Sequence, residues 1–392
     1  MNWPRWLFVG LCAVLPWSTD VELLAGVHVV FPAELLVGGL AGWILLQIAR
    51  KKLIFPPLVL PIALPFLAWG WVSALFSSMP FVSAKYMLVA TVHAVVFLGF
   101  ALLDREGAKK GLWAFALSVA AVTLYTVFRF GAYFHFRSDQ ANLAPMPFFD
   151  DHTVYAAVVV LLLLLTPYLR WGWYLFPVFM VGLVCSTSRA AWLSLVLALL
   201  GGAIVGTLRQ HRVWLSVLLL TGVFVACWGF SWQNIPFFMG KDTSSAERWN
   251  RYQSALRMVK ERPVVGFGPG TYQFQYISYQ DSAQMTRISV QAPVVSRNPS
   301  NYGRGGGAHS EYFQALSETG WPGLILLLGW VLTPFLFIPL NRKQLIFLFA
   351  WLSYWIHGIF NHFLHDPKVS FLIWLVFASF MELENEAKKS VK

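Results

Sequence analysis

The residues best suited to chemistry lie in the second half of the chain. Gly307-Ala-His309-Ser-Glu311-Tyr312-Phe-Gln314-Ala-Leu-Ser-Glu318-Thr-Gly320-Trp-Pro-Gly323 carries a histidine and two carboxylates into an apolar segment that runs to Leu340. Ionisable groups at the mouth of a membrane segment are costly to keep there and are candidates for function. Near neutral pH the His309 imidazole can take a proton from a hydroxyl nucleophile. Arg189, in Ser186-Thr-Ser-Arg-Ala-Ala-Trp192, enters an apolar segment from its weakly charged end, and a guanidinium fork suits phosphate oxygens. Arg248 and Arg251 are one helical turn apart, so their forks can share a diphosphate. Each residue also has a plainer reading: an interfacial histidine, a snorkelling arginine that anchors a helix end, a headgroup-binding helix face.

Other patterns are weaker. Gly266-Phe-Gly-Pro-Gly270 lacks the Lys-Ser/Thr of a P-loop and the context of a dinucleotide fold, and reads as a tight turn returning the chain to the membrane. Asp150-Asp151-His152 and His362-Phe-Leu-His365-Asp366 both fall at outer ends of spans, where interfacial capping explains them better than a metal set. Asp104-Arg-Glu-Gly-Ala-Lys-Lys110 is an ordinary positive loop. Cys12, Cys185 and Cys227 all sit inside apolar segments and read as small core residues.

The elements that must position these groups are membrane helices. Of the 392 residues, 57% are hydrophobic and 12% charged, with mean hydropathy +0.60. Soluble domains carry about twice that share of charge. The apolar runs are continuous rather than alternating, which excludes a strand-rich membrane fold. The expected class is all-α and polytopic, with about 12 spans of about 20 residues. They centre near Leu11, Leu40, Leu64, Ala94, Ala120, Leu161, Phe179, Leu197, Leu219, Leu328, Ala350 and Trp374. Lys and Arg concentrate on alternate loops and at both ends, from Arg5 and Arg50-Lys-Lys52 to Lys388 and Lys389, which predicts cytoplasmic termini. The net charge of +11 follows largely from that rule, and no nucleic-acid signature accompanies it.

This gives spans one to nine over residues 1–230, an external loop over 231–308 between spans nine and ten, and three further spans with a charged tail over 309–392. Within the loop, Ser244-Ser-Ala-Glu247 has the form of a capping box. Trp249, Tyr252, Leu256 and Val259 then make one apolar stripe, and Pro263 ends the helix. It should lie on the membrane surface or against the spans.

Three pieces occur in one order: Ser186-Thr-Ser-Arg189-Ala-Ala-Trp192, then Glu247-Arg248-Trp-Asn-Arg-Tyr252 with Pro263-Val-Val-Gly-Phe-Gly-Pro-Gly270, then His309 to Gly323. The ordered set resembles the O-antigen ligase and O-antigen polymerase superfamily of bacterial envelope glycosyltransferases, over roughly Met180 to Leu340. The resemblance implies a GT-C-type helical enzyme of the inner membrane, its active site on the periplasmic side. It implies a glycan donor linked to undecaprenyl diphosphate and an acceptor that is lipid A-core or another glycan. No cofactor and no metal are implied.

The family's important positions match Arg189 and Arg248 for the diphosphate and His309 for the proton. Arg251 adds a further basic residue, and Glu311, Tyr312 and Glu318 are possible supports. Ser310 stands where the family often has Asn. The first expectation is a ligase that joins a carrier-linked polysaccharide to lipid A-core. The alternatives are a polymerase of the same superfamily, a polysaccharide or lipid transporter, and a non-catalytic scaffold.

Overall fold

The computed structural model describes residues 3–24, 27–53, 63–205, 243–281, 283, 306–334 and 342–390. The span expected near Leu219 and the polar residues 284–305 lie outside that set. Every other predicted span centre falls inside a helix: α1 Trp3–Val14, α2 Ala33–Ala49, α3 Ala63–Leu75, α4 Pro80–Leu103, α5 Arg105–Phe134, α6 His152–Leu165, α7 Phe176–Ser186, α8 Arg189–Val205, α10 Glu311–Leu332, α11 Arg342–His357 and α12 Pro367–Ser390. The loop helix, α9, is Thr243–Glu261.

The class is all-α, with one departure from expectation. Thr19–Leu24 and Val27–Phe31 form an antiparallel hairpin, β1–β2, between α1 and α2, with Thr19 opposite Phe31. Its β-branched residues favour an extended chain, and it is too short to span. Among the described residues three helices, α4, α5 and α10, are long and apolar enough to cross a membrane; α2, α3, α6, α7, α8 and α12 contribute shorter apolar stretches.

Local chemistry sets the helix ends. Asp104 caps α5 by accepting from Gly107 N at 3.0 Å, and its carboxylate takes Arg5 of α1 at 2.6 and 2.8 Å. That ion pair holds the Asp104 carboxyl below its usual range. Asp151 caps α6, accepting from Thr153 N at 2.6 Å and Val154 N at 3.0 Å. The centre of the bundle is aromatic: Trp330 of α10 stacks on Trp374 of α12 at 4.9 Å and meets Trp351 and Trp355 of α11 edge-on.

One break decides how the loop docks. Gly320 in α10 has φ 71 and ψ −173, so the helix kinks there. The carbonyls of Ser317 and Glu318 accept from Phe267 N at 3.1 Å and Gly268 N at 2.9 Å, while Trp321 N donates to Pro263 O at 2.9 Å. Ser73 of α3 closes the joint, its Oγ 2.5 Å from Val265 O and 2.9 Å from Glu318 O. The glycine-rich segment is therefore more than a turn. It fills the break in α10 with backbone hydrogen bonds that the helix itself cannot make.

Candidate functional site

Several chain segments end together at one end of the bundle. Thr187 is left-handed (φ 53) and separates α7 from α8, so Arg189 opens α8. Cys185 packs with Ala141 and Ala144, in the segment that leads into α6, which brings the α7–α8 junction to the end where α6 begins. The α11–α12 turn lies at that same end, because Lys368 Nζ donates to Phe148 O. The start of α10 joins them: Glu311 N donates to Gly358 O at 2.8 Å and to Asn361 O at 3.1 Å. Arg189 is exposed there, five residues (about 7.5 Å of helix rise) before Ser194, whose Oγ lies 3.3 Å from Ser353 Oγ of α11.

His309 stands at the centre of this end, just before α10. Its φ is 53, a left-handed conformation that costs a non-glycine residue about 1–3 kcal/mol unless its surroundings hold it. Three side chains grip the backbone around it. Gln314 Oε1 accepts from Ala308 N at 2.7 Å, and Arg251 Nη1 donates to Gly307 O at 2.8 Å. The Tyr252 hydroxyl lies 3.1 Å from His309 O and 2.9 Å from Ile359 O, and its ring stacks on Phe313 at 4.5 Å.

Behind this cradle runs a second layer. Gln314 Nε2 donates to Glu318 Oε1 at 2.7 Å, and the same oxygen accepts from Tyr272 N at 3.0 Å. Glu318 thus reaches His309 only through Gln314. Glu311 points elsewhere: Oε1 accepts from Tyr354 Oη at 2.5 Å, Phe363 N at 2.5 Å and Leu364 N at 2.9 Å, which fixes the α11–α12 turn. Tyr312 donates to Trp355 O at 2.9 Å.

The arginines of α9 face this site from the loop. Arg251 is 4% exposed, pairs with Glu247 at 2.8 Å and lies over the Tyr276 ring at 4.8 Å. Its guanidinium is built into the structure, so Arg251 supplies charge and a fixed anchor together. Burial and the charges of Arg251 and Arg248 press the His309 pKa down to about 3, so the resting imidazole is neutral.

The buried face of α9 matches the expected apolar stripe only in part: Val259 is buried and Tyr252 packs on Phe313, but Trp249 does not join them. Trp249 is 57% exposed, while Glu247, Asn250, Arg251, Ser254, Ala255 and Met258 are buried. Hydrogen bonds and the Glu247–Arg251 pair extend the inner face, and Trp249 is left outward. The side chain of Ser244, the first half of the expected capping box, lies outside the described residues.

A cavity of about 340 Å³ opens beside His309. Gly306, Gly307, His309 and Gln314 line one side; Asp150, Asp151 and Thr153 come from the start of α6; Asn361, His362 and His365 come from the α11–α12 turn. His362 closes on the loop so tightly that a Cβ at Gly307 would fall 2.1 Å from its Cε1. Burial and the nearby His365, His309 and Arg251 push the His362 pKa well below the usual value. The two acid–histidine clusters that the sequence leaves at separate span ends therefore share one cavity with His309. Among the described residues no three His, Cys, Asp or Glu side chains are grouped so as to hold a metal ion.

Gln314 and Asn361 carry no functional expectation in the sequence, and Tyr252 only a place in the apolar stripe of α9. The spacing of Gln314 and Glu318, four apart on a helix, was the available signal for the first.

The fold and this polar end define a helical membrane protein in which α9 and the glycine-rich segment after it pack beside a histidine. Residues 173–328, from just before α7 to within α10, match the O-antigen ligase family, which supports a place for the chain in that superfamily of bacterial glycosyltransferase-like membrane enzymes. A search of curated proteins gives no match.

Proposed function

We propose that the protein is an O-antigen ligase of the inner membrane, working on its periplasmic side. It takes a polysaccharide from undecaprenyl diphosphate and passes it to a hydroxyl of a lipid A-core sugar. The observation that supports this most is the pairing of a neutral, backbone-clamped His309 with the arginines of α9 beside a cavity large enough for sugar rings. In the reaction the acceptor oxygen attacks the anomeric carbon, and its proton passes to His309. The bond from that carbon to the phosphate oxygen breaks, and undecaprenyl diphosphate leaves with the electron pair.

The leaving group is already a strong anion, so it needs charge stabilisation rather than a proton. Arg189 and Arg248 hold the diphosphate, and Arg251 adds its charge while fixed to Glu247. Direct displacement inverts the anomeric configuration. Binding of the diphosphate offsets the two arginine charges at His309 and raises its basicity when a donor is present, so the base strengthens on demand.

The test is a lipopolysaccharide gel of a deletion strain complemented with wild type, His309→Ala or Arg189→Ala, run beside carrier-linked glycan. A ligase predicts bare core with long chains stranded on the carrier in the deletion strain and both variants. Core capped by a single repeat would instead assign polymerase activity. A wild-type ladder from both variants would remove the site assignment.

A further inference from the structure

The His309 cavity is lined by carboxylates while the arginines of α9 lie outside its lining, so the cavity itself is poorly suited to a diphosphate. Arg248 and Arg251 act on His309 from the α9 side. The cavity lining itself holds Asp150 and Asp151, with Asp366 close enough for its charge to bear on Asp150. Asp151 is committed to capping α6, and Asp366 to Lys368 N at 2.8 Å at the start of α12. The carboxylate of Asp150 makes no hydrogen bond to any described residue. Lys368, the nearby cation, is 6% exposed and donates to Phe148 O while lying over the Phe149 ring at 4.6 Å. It balances part of the negative charge without occupying Asp150.

A second observation points to a ligand on this wall. Asn361 lines the same cavity, is 3% exposed, and its Nδ2 has no hydrogen-bond partner. A buried amide left unsatisfied is costly, and in a functional cavity it marks a position that a bound group completes. The pair offers one acceptor-only carboxylate and one N–H donor. A sugar ring meets both with neighbouring hydroxyls, one donating and one accepting, whereas a phosphate would be repelled by the carboxylates.

We infer that Asp150 and Asn361 form the acceptor-sugar subsite, which binds a neutral ring of the acceptor through its hydroxyls and presents the attacking hydroxyl to His309. This rests on the transfer reading above and assigns its second substrate. The donor diphosphate is then held by the arginines outside the cavity, so the two substrates use different groups around His309 and need not compete.

The test uses the purified full-length protein in proteoliposomes with carrier-linked glycan as donor and core lipid from the deletion strain as acceptor. Asp150→Asn and Asn361→Asp are expected to raise the acceptor KM about tenfold or more, the loss typical of a hydrogen bond to a charged group, with the donor KM unchanged. Binding of delipidated core oligosaccharide, followed by saturation-transfer NMR, is expected to weaken in parallel. Asp150 is on the surface, so its variant folds even where the Asn361 variant does not. An unchanged acceptor KM and unchanged oligosaccharide binding in Asp150→Asn would overturn the subsite, as would a matching rise in the donor KM. Weakened binding in Asp150→Asn, with no transfer by the wild type, would keep the subsite and overturn the ligase reading instead.

Discussion

Gln314 offers the sharpest perturbation, because it touches His309 only through the backbone. Gln314→Leu removes the acceptor for Ala308 N and a donor to Glu318 Oε1, bonds of 2.7 Å each. Leaving a buried polar group unsatisfied costs about 1–3 kcal/mol. The left-handed His309 adds strain of about 1–3 kcal/mol that the cradle currently offsets. Each 1.4 kcal/mol is a factor of about ten, so a loss of 1–3 kcal/mol lowers the fraction of correctly posed histidine roughly five- to 150-fold. The assay is glycan transfer in proteoliposomes, with kcat and the donor KM measured separately. The expected result is a fall in kcat of at least about fivefold with the donor KM nearly constant. Gln314→Glu supplies an internal check. Its carboxylate opposes Glu318 at neutral pH, and sharing one proton restores the bridge. Activity of that variant should therefore rise as the pH falls from about 7 toward 5, opposite to a general loss of folding. A wild-type kcat in Gln314→Leu, or a defect confined to the donor KM, would refute the positioning argument.

Other outcomes follow from the same geometry. The fold holds the His309 pKa at about 3, below its unfolded value, so the neutral imidazole stabilises the native cradle fully above about pH 6.5 and that contribution is lost as the pH falls toward 3. Hydrogen exchange at Ala308 to Ser310 should accelerate over that window, and kcat/KM of the free enzyme should lack an acid limb near pH 6.5; a limb there would contradict the buried neutral base. Glu247→Gln leaves the Arg251 charge buried and should destabilise α9 docking by about 3–5 kcal/mol, read as earlier proteolysis of the loop. The double variant Glu247→Leu, Arg251→Met should recover the protease resistance but not transfer, whereas full recovery of both would show that the Arg251 charge has no part in the reaction. Gly266→Ala places a Cβ 2.3 Å from the Glu318 carbonyl carbon at φ 64, and should abolish folded protein in detergent. Gly38→Ala, with nothing within 4 Å, is the neutral control; equal yields of the two would sink the account of the joint.

The helices were legible because continuous apolar runs have few alternatives in a membrane protein, and each described span centre lies in one. His309 was legible as an ionisable group at a helix mouth. The inner face of α9 was not, because Trp249 is apolar and yet exposed while Glu247 and Arg251 are charged and yet buried. Hydrophobic periodicity assumes that the protein side is the greasy side, and a loop helix between bundle and bilayer can invert that. Glu318 stands well along the helix from His309, and its four-residue spacing from Gln314 was the one sign in the sequence that Gln314 could relay it. The clustering of Asp150 and Asn361 with His309 depends on three chain segments far apart in sequence, which no local pattern encodes.

The order of the motifs has a physical reason in the break at Gly320. A helix that is interrupted near its polar end exposes carbonyls that need donors, here those of Ser317 and Glu318. Phe267 N and Gly268 N fill them, and the glycines at 266 and 268 let the two backbones approach. Once that joint forms, the end of α9 is fixed relative to α10. Arg251 and Tyr252 then fall on Gly307 O and His309 O, and Tyr272 N on Glu318. The glycine-rich segment, the Gly320 break and the histidine are therefore one device: the break anchors the loop, and the anchored loop sets the backbone around His309. A chain that kept His309 and Arg248 but lost the joint would hold the same functional groups without a reason for them to meet.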